Sequence, residues 1–397
     1  MVTKRVKEIE YAIREIAVVA DQVEKSGKKV IHLNIGDPVK YDFQTPKILT
    51  DALGKAATTN MNFYVDSLGV SELREELSKL ENKKNSINLT SSEIIVTSGV
   101  TEGIFFLLAS LIERNNEILI PGPTYPLYLN YAKFFDGKPV EYELDENDDW
   151  EPNMDDLRKK ISEKTQAILI CSPNNPTGGI FSRKKIQQVI DLAGEFNIPI
   201  LSDEIYDQIT YEKEFISPAS LSNDVPIIGL NGFSKAHLVT GWRLGYMYFH
   251  DPNDKLSELK ESIAKLARAR LCSNSVVQYA ALNVLKNPGT HTKELVQKLR
   301  KRRDYSYKRL RQIEGIQPVN ADGAFYLFPR IELNEFHQWK NDKEFVIDLL
   351  KETGVCTVYG SGFGEYGKGH FRLTFLPDLE LLETVYNKIE DFMNKNK

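Results

Sequence analysis

The sequence predicts an α/β protein with a mostly parallel sheet covered by helices and a smaller α+β domain built from both chain ends. Short apolar runs alternate with amphipathic segments from about residue 94 to residue 249, as in a sheet with crossover helices. Both ends of the chain lack this alternation. We therefore predict an N-terminal segment at 1–48 that joins the small domain, a large domain at 49–292 and a small C-terminal domain at 293–397.

The elements of the large domain follow from this pattern. Seven apolar runs are predicted strands, at 94–97, 117–120, 140–144, 167–171, 198–202, 227–230 and 245–249. Residues 183–196 are a predicted helix, because Ile186, Val189, Ile190 and Ala193 share one helical face. The longest apolar run, 104–112, is too short to span a bilayer, so we interpret it as a buried helix.

The two ends of the chain predict helices and short strands. Residues 1–30 have the pattern of an amphipathic helix and residues 293–313 that of a charged one. Short strands at 324–328 and 370–375 precede a last helix at 378–394. The basic run at 300–303 lies in a helical stretch that also carries acids. We therefore interpret it as a solvated helix face rather than a nucleic-acid surface.

Composition limits the partners and the compartment. The 397 residues carry a formal net charge of -5, which gives no general attraction to nucleic acid or to an anionic membrane. Three scattered cysteines form no metal-spaced pair and suggest no disulfide framework, and the N-terminus is charged where a signal peptide is apolar. The six histidines have no metal-ligand spacing, so we expect no metal. These features predict a cytoplasmic protein.

The most specific motif surrounds Lys235, which follows Ser234 and precedes Arg243 in the glycine-flanked run 232–245. A lysine in such a run can form a Schiff base with pyridoxal phosphate, while the serine and the arginine hold the phosphate. Two further motifs lie upstream, Ser-Pro-Asn-Asn-Pro-Thr-Gly at 172–178 and Ser-Asp-Glu-Ile-Tyr at 202–206. All three follow predicted strands, and ligands of open α/β sheets bind beyond the carboxyl ends of strands. The motifs are therefore predicted to converge on one site.

Together these motifs resemble those of the class I aminotransferases, the fold-type-I pyridoxal phosphate enzymes of the aspartate aminotransferase superfamily. The resemblance runs from Leu-Asn-Ile-Gly-Asp-Pro at 33–38 to Phe-Arg-Leu-Thr-Phe at 371–375. The segments 64–69, 121–126 and 360–364 look closest to the archaeal alanine aminotransferases. The resemblance implies the α/β fold of type I pyridoxal phosphate transferases.

The resemblance also implies roles around the cofactor. Lys235 matches the covalent anchor and proton carrier, and Asp203 matches the carboxylate that keeps the pyridine nitrogen protonated. Tyr206 and Asn175 match the residues that hydrogen-bond the phenolic oxygen of the ring. The remaining residues implied in cofactor binding are Val100, Thr101, Tyr125, Ser234, Arg243 and, across the interface of a homodimer with shared sites, Tyr64.

Substrate contacts are implied in the same way. Arg372 matches the arginine that binds the α-carboxylate through two parallel hydrogen bonds, and Gly36 and Asn175 match its neighbours at that carboxylate. Thr101 stands where some aspartate-specific relatives carry a lysine. We assign the distal carboxylate of a dicarboxylic substrate to Arg270, with Arg268 as second choice.

These roles predict an aminotransferase that moves an amino group between an L-amino acid, with alanine as the first candidate, and 2-oxoglutarate. An aspartate or broad-specificity aminotransferase is the alternative. A pyridoxal phosphate-dependent C–S or cyclising lyase stays open, because relatives with the same site residues catalyse those reactions. A regulator that senses the cofactor is not expected, because such proteins carry a DNA-binding domain and the first motif here begins near residue 33.

Overall fold

The computed structural model describes residues 2–287 and 289–397. The α-helices of this part of the chain are α1 (Lys4–Lys7), α2 (Ala12–Lys25), α3 (Lys47–Thr58), α4 (Ser71–Asn85), α5 (Val100–Leu111), α6 (Pro126–Phe134), α7 (Met154–Lys160), α8 (Arg183–Glu195), α9 (Ser257–Ala269), α10 (Ser275–Lys286), α11 (His291–Leu310), α12 (Asp342–Thr353) and α13 (Leu379–Lys395). The strands are β1 (Ile31–His32), β2 (Ile94–Thr97), β3 (Glu117–Gly122), β4 (Lys138–Asp145), β5 (Glu151–Pro152), β6 (Thr165–Cys171), β7 (Ile200–Asp203), β8 (Ile227–Gly232), β9 (Gly245–His250), β10 (Ile316–Gln317), β11 (Tyr326–Leu327), β12 (Arg330–Ile331), β13 (Val355–Cys356), β14 (Val358–Tyr359) and β15 (Phe371–Thr374). All seven strands predicted for the large domain are confirmed, with ends that shift by at most two residues.

One eight-stranded sheet forms the centre of the described chain, in the order β2-β9-β8-β7-β6-β3-β4-β5. The five strands from β8 to β4 run parallel to one another. β9 is antiparallel to both β2 and β8, and β5 is antiparallel to β4 at the opposite edge. Because β9 reverses direction between them, β2 points the same way as β8. The prediction of a mostly parallel sheet is confirmed.

The central strands are buried on both faces, as expected when helices cover a parallel sheet. Every residue of β3 and β8 is buried. The predicted apolar helix is α5, which packs against β8, β9 and α9. Its inner residues, Ile104 and Leu107, are at most 2% exposed, so this run belongs to the core.

Short strands join the two ends of the chain beside the main sheet. β1 pairs in parallel with β13, and α2 packs against α12. β15 lies between β11 and β14 and is antiparallel to both. The predicted helices at the ends correspond to α2, α11 and α13. The proposed boundaries at 48/49 and 292/293 fall inside α3 and α11, and the division into three segments stays a prediction.

The prediction of a fully solvated basic face on α11 was wrong for two of its arginines. Arg302 and Arg303 are 4% and 1% exposed. Arg302 pairs with Asp42 at 2.7 Å, and Arg303 pairs with Glu212 at 2.7 Å. Both acids are distant in sequence, so local charge patterning could not reveal these pairs.

No helix among the described residues has the length and apolar character needed to cross a membrane.

The sheet brings the three motifs to one edge. β6, β7 and β8 are parallel neighbours, and their carboxyl ends lead to the motifs at 172–178, 202–206 and 232–245. β2 points the same way and leads into the start of α5. The common direction of these strands is therefore what places the functional side chains together.

Candidate active site

A cavity of about 490 Å³ lies at this edge of the sheet. Residues from four strand ends and from both termini of the chain line it. Those that the sequence had singled out are Gly36, Val100, Thr101, Tyr125, Asn175, Asp203, Tyr206, Ser234, Lys235, Arg243 and Arg372. The structure thus brings together residues that are up to 336 positions apart in the chain, from Gly36 to Arg372.

Lys235 follows the end of β8 and extends its amine into the cavity. Its Nζ donates a hydrogen bond to the Gly36 carbonyl oxygen at 2.8 Å. The Tyr206 and Phe325 ring centroids lie 5.8 and 5.4 Å from Nζ. Removal from bulk water, aided by the nearby cations Arg372 and Arg243, lowers the pKa of the Lys235 amine to about 8. At neutral pH this amine therefore loses its proton far more readily than an ordinary lysine and can act as a nucleophile.

Asp203 ends β7 at the base of the cavity and is 4% exposed. Its Oδ2 accepts a hydrogen bond from the Tyr128 hydroxyl, and its Oδ1 accepts one from the Ile205 amide at 3.1 Å. Burial raises the pKa of the carboxyl group to about 6, although these hydrogen bonds favour the charged form. A buried carboxylate that faces a cavity is stabilised when a cation binds beside it. A protonated ring nitrogen would supply that cation.

Arg372, on β15, is a buried guanidinium without a carboxylate partner among the described residues. It donates to the Asn175 Oδ1 at 2.8 Å and to the Asn34 carbonyl oxygen at 2.5 Å. Its Nε is buried and makes no hydrogen bond within the described chain. The guanidinium carbon lies 4.5 Å from the Tyr326 ring centroid and 4.9 Å from that of Phe363. Burial lowers the pKa of Arg372, as expected for a cation whose anion is supplied by a ligand.

Two tyrosines complete the wall between Arg372 and Lys235. The Tyr206 and Tyr326 hydroxyls are 2.7 Å apart. Gly36 packs against this pair, since a Cβ at that position would overlap the Tyr326 hydroxyl and approach the Phe325 ring. The resemblance implied that Gly36 lies beside the α-carboxylate, where its lack of a side chain lets substrate approach. In the structure, its lack of a side chain also admits Tyr326, a residue that the motifs did not identify.

The phosphate cradle predicted at the start of α5 has the polar groups that an anion needs. Val100 and Thr101 are the first two residues of this helix, where backbone N–H groups lack intrahelical acceptors. Gly99 precedes them with φ 77°, a conformation that glycine adopts without strain. Arg243 Nη2 lies 3.5 Å from Thr101 Oγ1, and Ser234 lines the same side of the cavity. No ion pair with a carboxylate engages Arg243 in the described chain. The cradle can therefore hold a phosphate with both backbone and side-chain donors.

The N-terminal segment contributes residues that sequence reasoning missed. The Tyr11 hydroxyl lies 2.6 Å from the hydroxyl of Tyr125, and Arg14 lines the same cavity from the first turn of α2. Arg14 is exposed, and no carboxylate pairs with it in the part of the chain that the structure describes. The sequence signalled only an amphipathic helix at 1–30. The contact between its first turn and the strand ends is a tertiary feature.

Tyr64 and Arg270 are the predicted site residues that the structure does not bring to the cavity. Tyr64 is 80% exposed, and its role toward a neighbouring subunit stays a prediction. The assignment of Arg270 to a distal carboxylate stays a prediction, and Arg270 does not line the cavity in this structure. Arg270 is engaged elsewhere, because its Nη1 donates to Glu102 Oε2 at 2.9 Å and its Nη2 to the Ser67 carbonyl oxygen at 3.0 Å. The second choice, Arg268, pairs with Glu261 at an exposed position away from the cavity.

The whole chain is similar to known aminotransferases. Residues 28–389 match the family described as aminotransferase class I and II. Glutamate-pyruvate aminotransferase AlaA of Haemophilus influenzae is 33% identical, with 94% of this chain and 93% of the relative covered. A Methanocaldococcus jannaschii (5-formylfuran-3-yl)methyl phosphate transaminase is 35% identical over the full length of both chains.

Solved structures give the same result. An alanine aminotransferase from Pyrococcus furiosus superposes with a TM-score of 0.97 at 50% identity and covers 100% of both chains. An aspartate aminotransferase from Thermus thermophilus superposes with a TM-score of 0.90 at 26% identity, covering 98% of this chain and 99% of the other. The fold and the motifs predicted from the sequence agree with these matches. This chain belongs to the class I and II aminotransferases and has their type I α/β fold.

Proposed function

We propose that this aminotransferase transfers an amino group between alanine and 2-oxoglutarate through pyridoxal phosphate anchored on Lys235. One observation carries the proposal most directly: the Lys235 amine shares a cavity with the buried carboxylate Asp203 and with the buried, carboxylate-free guanidinium of Arg372. The carboxylate suits a protonated heterocycle, and the guanidinium suits a carboxylate. An amine of lowered pKa in the same cavity suits carbonyl chemistry.

The residues of the cavity fit this cofactor group by group. The amides of Val100 and Thr101, with Ser234 and Arg243, would hold its phosphate. Asp203 would face the pyridine nitrogen and keep it protonated, and Tyr125 would pack against the ring. Asn175 engages Arg372 through Oδ1, which leaves its Nδ2 to donate to the phenolic oxygen together with the Tyr206 hydroxyl. The donors and acceptors of the cavity thus match those of the cofactor.

When bound, pyridoxal phosphate supplies a conjugated, protonated ring that takes up the electron pair left when the substrate Cα–H bond breaks. Lys235 would anchor the cofactor, and its free amine would act as the general base that removes the substrate Cα proton. The lowered pKa of the Lys235 amine suits that role near neutral pH. Arg372 holds the α-carboxylate and so fixes which substituent of Cα faces the amine.

We further propose that Arg14 binds the distal carboxylate of glutamate and 2-oxoglutarate. Arg14 lines the cavity and carries no competing carboxylate among the described residues, whereas Arg270 is already paired with Glu102. An exposed, flexible arginine can leave the site when alanine is bound, which avoids burial of an unpaired charge. Thr101 is consistent with this choice, because some aspartate-specific relatives carry at its position a lysine that reads the distal carboxylate, and this chain needs another cation for that role.

The relatives support the choice of substrates. The glutamate-pyruvate and alanine aminotransferases among them are named for this reaction.

We also propose a homodimer with shared active sites, in which Tyr64 reaches the phosphate bound by the neighbouring subunit. The exposure of the Tyr64 side chain, at 80%, leaves it available for such a contact. A cytoplasmic location is proposed from the cysteine usage, since the three cysteines are free and form no disulfide framework among the described residues.

The direct test is a panel of amino donors, followed by single-turnover conversion of the bound cofactor to its amino form. The panel contains alanine, glutamate, aspartate and a β-substituted amino acid. We expect alanine and glutamate to react fastest and 2-oxoglutarate to restore the starting form. A preference for aspartate over alanine would refute the substrate pair. Release of pyruvate and ammonia from the β-substituted substrate would indicate a lyase instead.

The anchor is tested separately with Lys235→Ala. Borohydride reduction of the wild-type protein should add the mass of the reduced cofactor to the peptide that contains Lys235, and Lys235→Ala should lack this adduct. Lys235→Ala should also lose nearly all turnover, because one side chain is both anchor and proton carrier. An adduct on a different lysine of the wild-type protein would overturn the assignment.

A further inference from the structure

Arg270 forms a clamp outside the cavity that no part of the catalytic scheme uses. It caps the C-terminus of α9, with its side chain only 16% exposed. Its guanidinium donates to Glu102 Oε2 at 2.9 Å and to the Ser67 carbonyl oxygen at 3.0 Å. The next residue, Leu271, has φ 77°, so the backbone turns sharply directly after the clamp. These contacts connect three segments that are far apart in the sequence.

Glu102 connects this clamp to the phosphate cradle. The same Oε2 that accepts from Arg270 also accepts a hydrogen bond from the Ser98 amide at 2.8 Å. Ser98 and Gly99 form the turn that leads into α5, whose first two residues line the cavity. The carboxylate therefore holds the cradle in shape. It also places a negative charge in the first helical turn, where it opposes a bound phosphate unless a cation neutralises it.

We propose that Arg270 is a positioning residue for binding of the cofactor phosphate. Its guanidinium neutralises the Glu102 carboxylate and fixes the turn at 98–99, which sets the position of the phosphate-binding start of α5. The inference rests on the proposed cofactor site. Arg270 does not touch the phosphate and acts through Glu102. Arg270 therefore raises the affinity for a ligand that carries a phosphate and leaves the contacts to the pyridine ring unchanged.

The clamp also joins the cradle to the segment that carries Tyr64. Arg270 binds the carbonyl oxygen of Ser67, and the adjacent Leu68 carbonyl oxygen accepts from the Val96 amide on β2 at 2.8 Å. In the proposed dimer, Tyr64 would reach the phosphate of the neighbouring subunit. One arginine thus positions a phosphate-binding element of its own site and supports the segment that serves the other.

The test is equilibrium binding of pyridoxal phosphate and of pyridoxal, which lacks the phosphate, to the full-length cofactor-free protein. We expect Arg270→Ala to weaken pyridoxal phosphate binding by about tenfold or more, since a hydrogen-bonded charge is lost. Pyridoxal binding should change by less than about threefold, because the affected contact is electrostatic and specific to the phosphate. Arg268→Ala is the matched control, an exposed arginine two residues away whose partner is Glu261, and should match wild type.

Two further variants separate charge neutralisation from simple loss of structure. Glu102→Gln removes the charge but keeps an oxygen that can accept from Ser98, so the double variant with Arg270→Ala should recover most of the lost affinity. Arg270→Lys keeps the cation and should lose less than Arg270→Ala, even where the alanine variant folds poorly. Equal losses for both ligands, or no recovery in the double variant, would overturn the inference.

The outcomes for the clamp and for the proposed function are distinguishable. If wild-type protein binds pyridoxal phosphate no better than pyridoxal, the proposed cofactor site fails. If wild type discriminates between them and Arg270→Ala discriminates equally well, only the clamp fails. A loss confined to glutamate turnover, with cofactor binding intact, would instead return Arg270 to the distal-carboxylate role and overturn the clamp.

Discussion

Replacement of Arg14 by alanine should separate the two half-reactions of this enzyme. Arg14 lines the cavity from the first turn of α2, on the opposite end of the chain from Arg372. The turn is held against α6 by the Tyr11–Tyr125 contact and by the Asn130 side chain, which donates to the Glu10 carbonyl oxygen at 2.6 Å. These contacts hold Arg14 beside the cavity, where its side chain is exposed and pairs with no carboxylate of the described residues.

The expected loss follows from the exposure of Arg14. A hydrogen bond to a charged group contributes about 1.5–3 kcal/mol when it is buried. Exposed ion pairs contribute about 0.2–1 kcal/mol. A cation at the edge of a cavity lies between these limits, so we take the contribution of Arg14 as about 1.4 kcal/mol. Its loss in Arg14→Ala corresponds to a decrease of about tenfold in kcat/KM for glutamate and 2-oxoglutarate. Alanine has no distal carboxylate, so its half-reaction should change by less than about threefold.

The assay measures each half-reaction under single-turnover conditions, separately for alanine, glutamate and 2-oxoglutarate. The compared quantity is the maximal rate constant divided by the substrate concentration that gives half of it. Arg14→Lys should retain part of the glutamate rate, because it keeps the charge but not the planar fork. Arg183→Ala, at an exposed arginine of α8 that does not line the cavity, controls for the change in surface charge. Arg372→Ala should damage both half-reactions. Equal losses for alanine and glutamate in Arg14→Ala, or none for glutamate, would refute the reasoning.

Two further predictions concern buried carboxyl groups. Asp203→Asn should keep the fold but slow Cα proton removal about a hundredfold or more, since an amide cannot hold a neighbouring nitrogen protonated. Stopped-flow absorbance of the first half-reaction measures this, and near-normal rates would show that another group holds the proton. Glu204 is 0% exposed, and burial raises its pKa from 4.5 to about 7, against the opposing effect of nearby Lys84. Because its folded pKa is raised, its contribution to stability is present below about pH 4.5 and is lost as pH rises through about 7. Thermal unfolding of cofactor-free protein from about pH 5 to 8 should therefore depend less on pH in Glu204→Gln than in wild type, and identical profiles would contradict this assignment.

Local pattern was sufficient for the strands of the central sheet and for the motifs that border the cavity. Each central strand is a short apolar run, and burial on both faces requires that composition whatever its neighbours are. Asp203, Lys235 and Asn175 were identified because their chemistry needs particular residue types at strand ends. Each of these features is determined by a few residues that are adjacent in the sequence.

Only the tertiary structure decided which distant groups pair with one another. The sequence analysis assigned Arg270 to a distal carboxylate, and in the structure its guanidinium pairs with Glu102, 168 residues earlier in the chain. Tyr128 and Tyr326 look like ordinary core aromatics in the sequence, yet their hydroxyls bind Asp203 and Tyr206.

The physical reason is that charge pairing and desolvation depend on distances in space, while the sequence specifies only separations along the chain. Arg14 shows this most clearly. In the sequence, Arg14 is one polar residue of an amphipathic N-terminal helix, and such a pattern predicts that its side chain lies on the solvent face. The fold docks the first turn of that helix beside the carboxyl ends of the strands, and so turns a solvated arginine into a lining residue of the cavity.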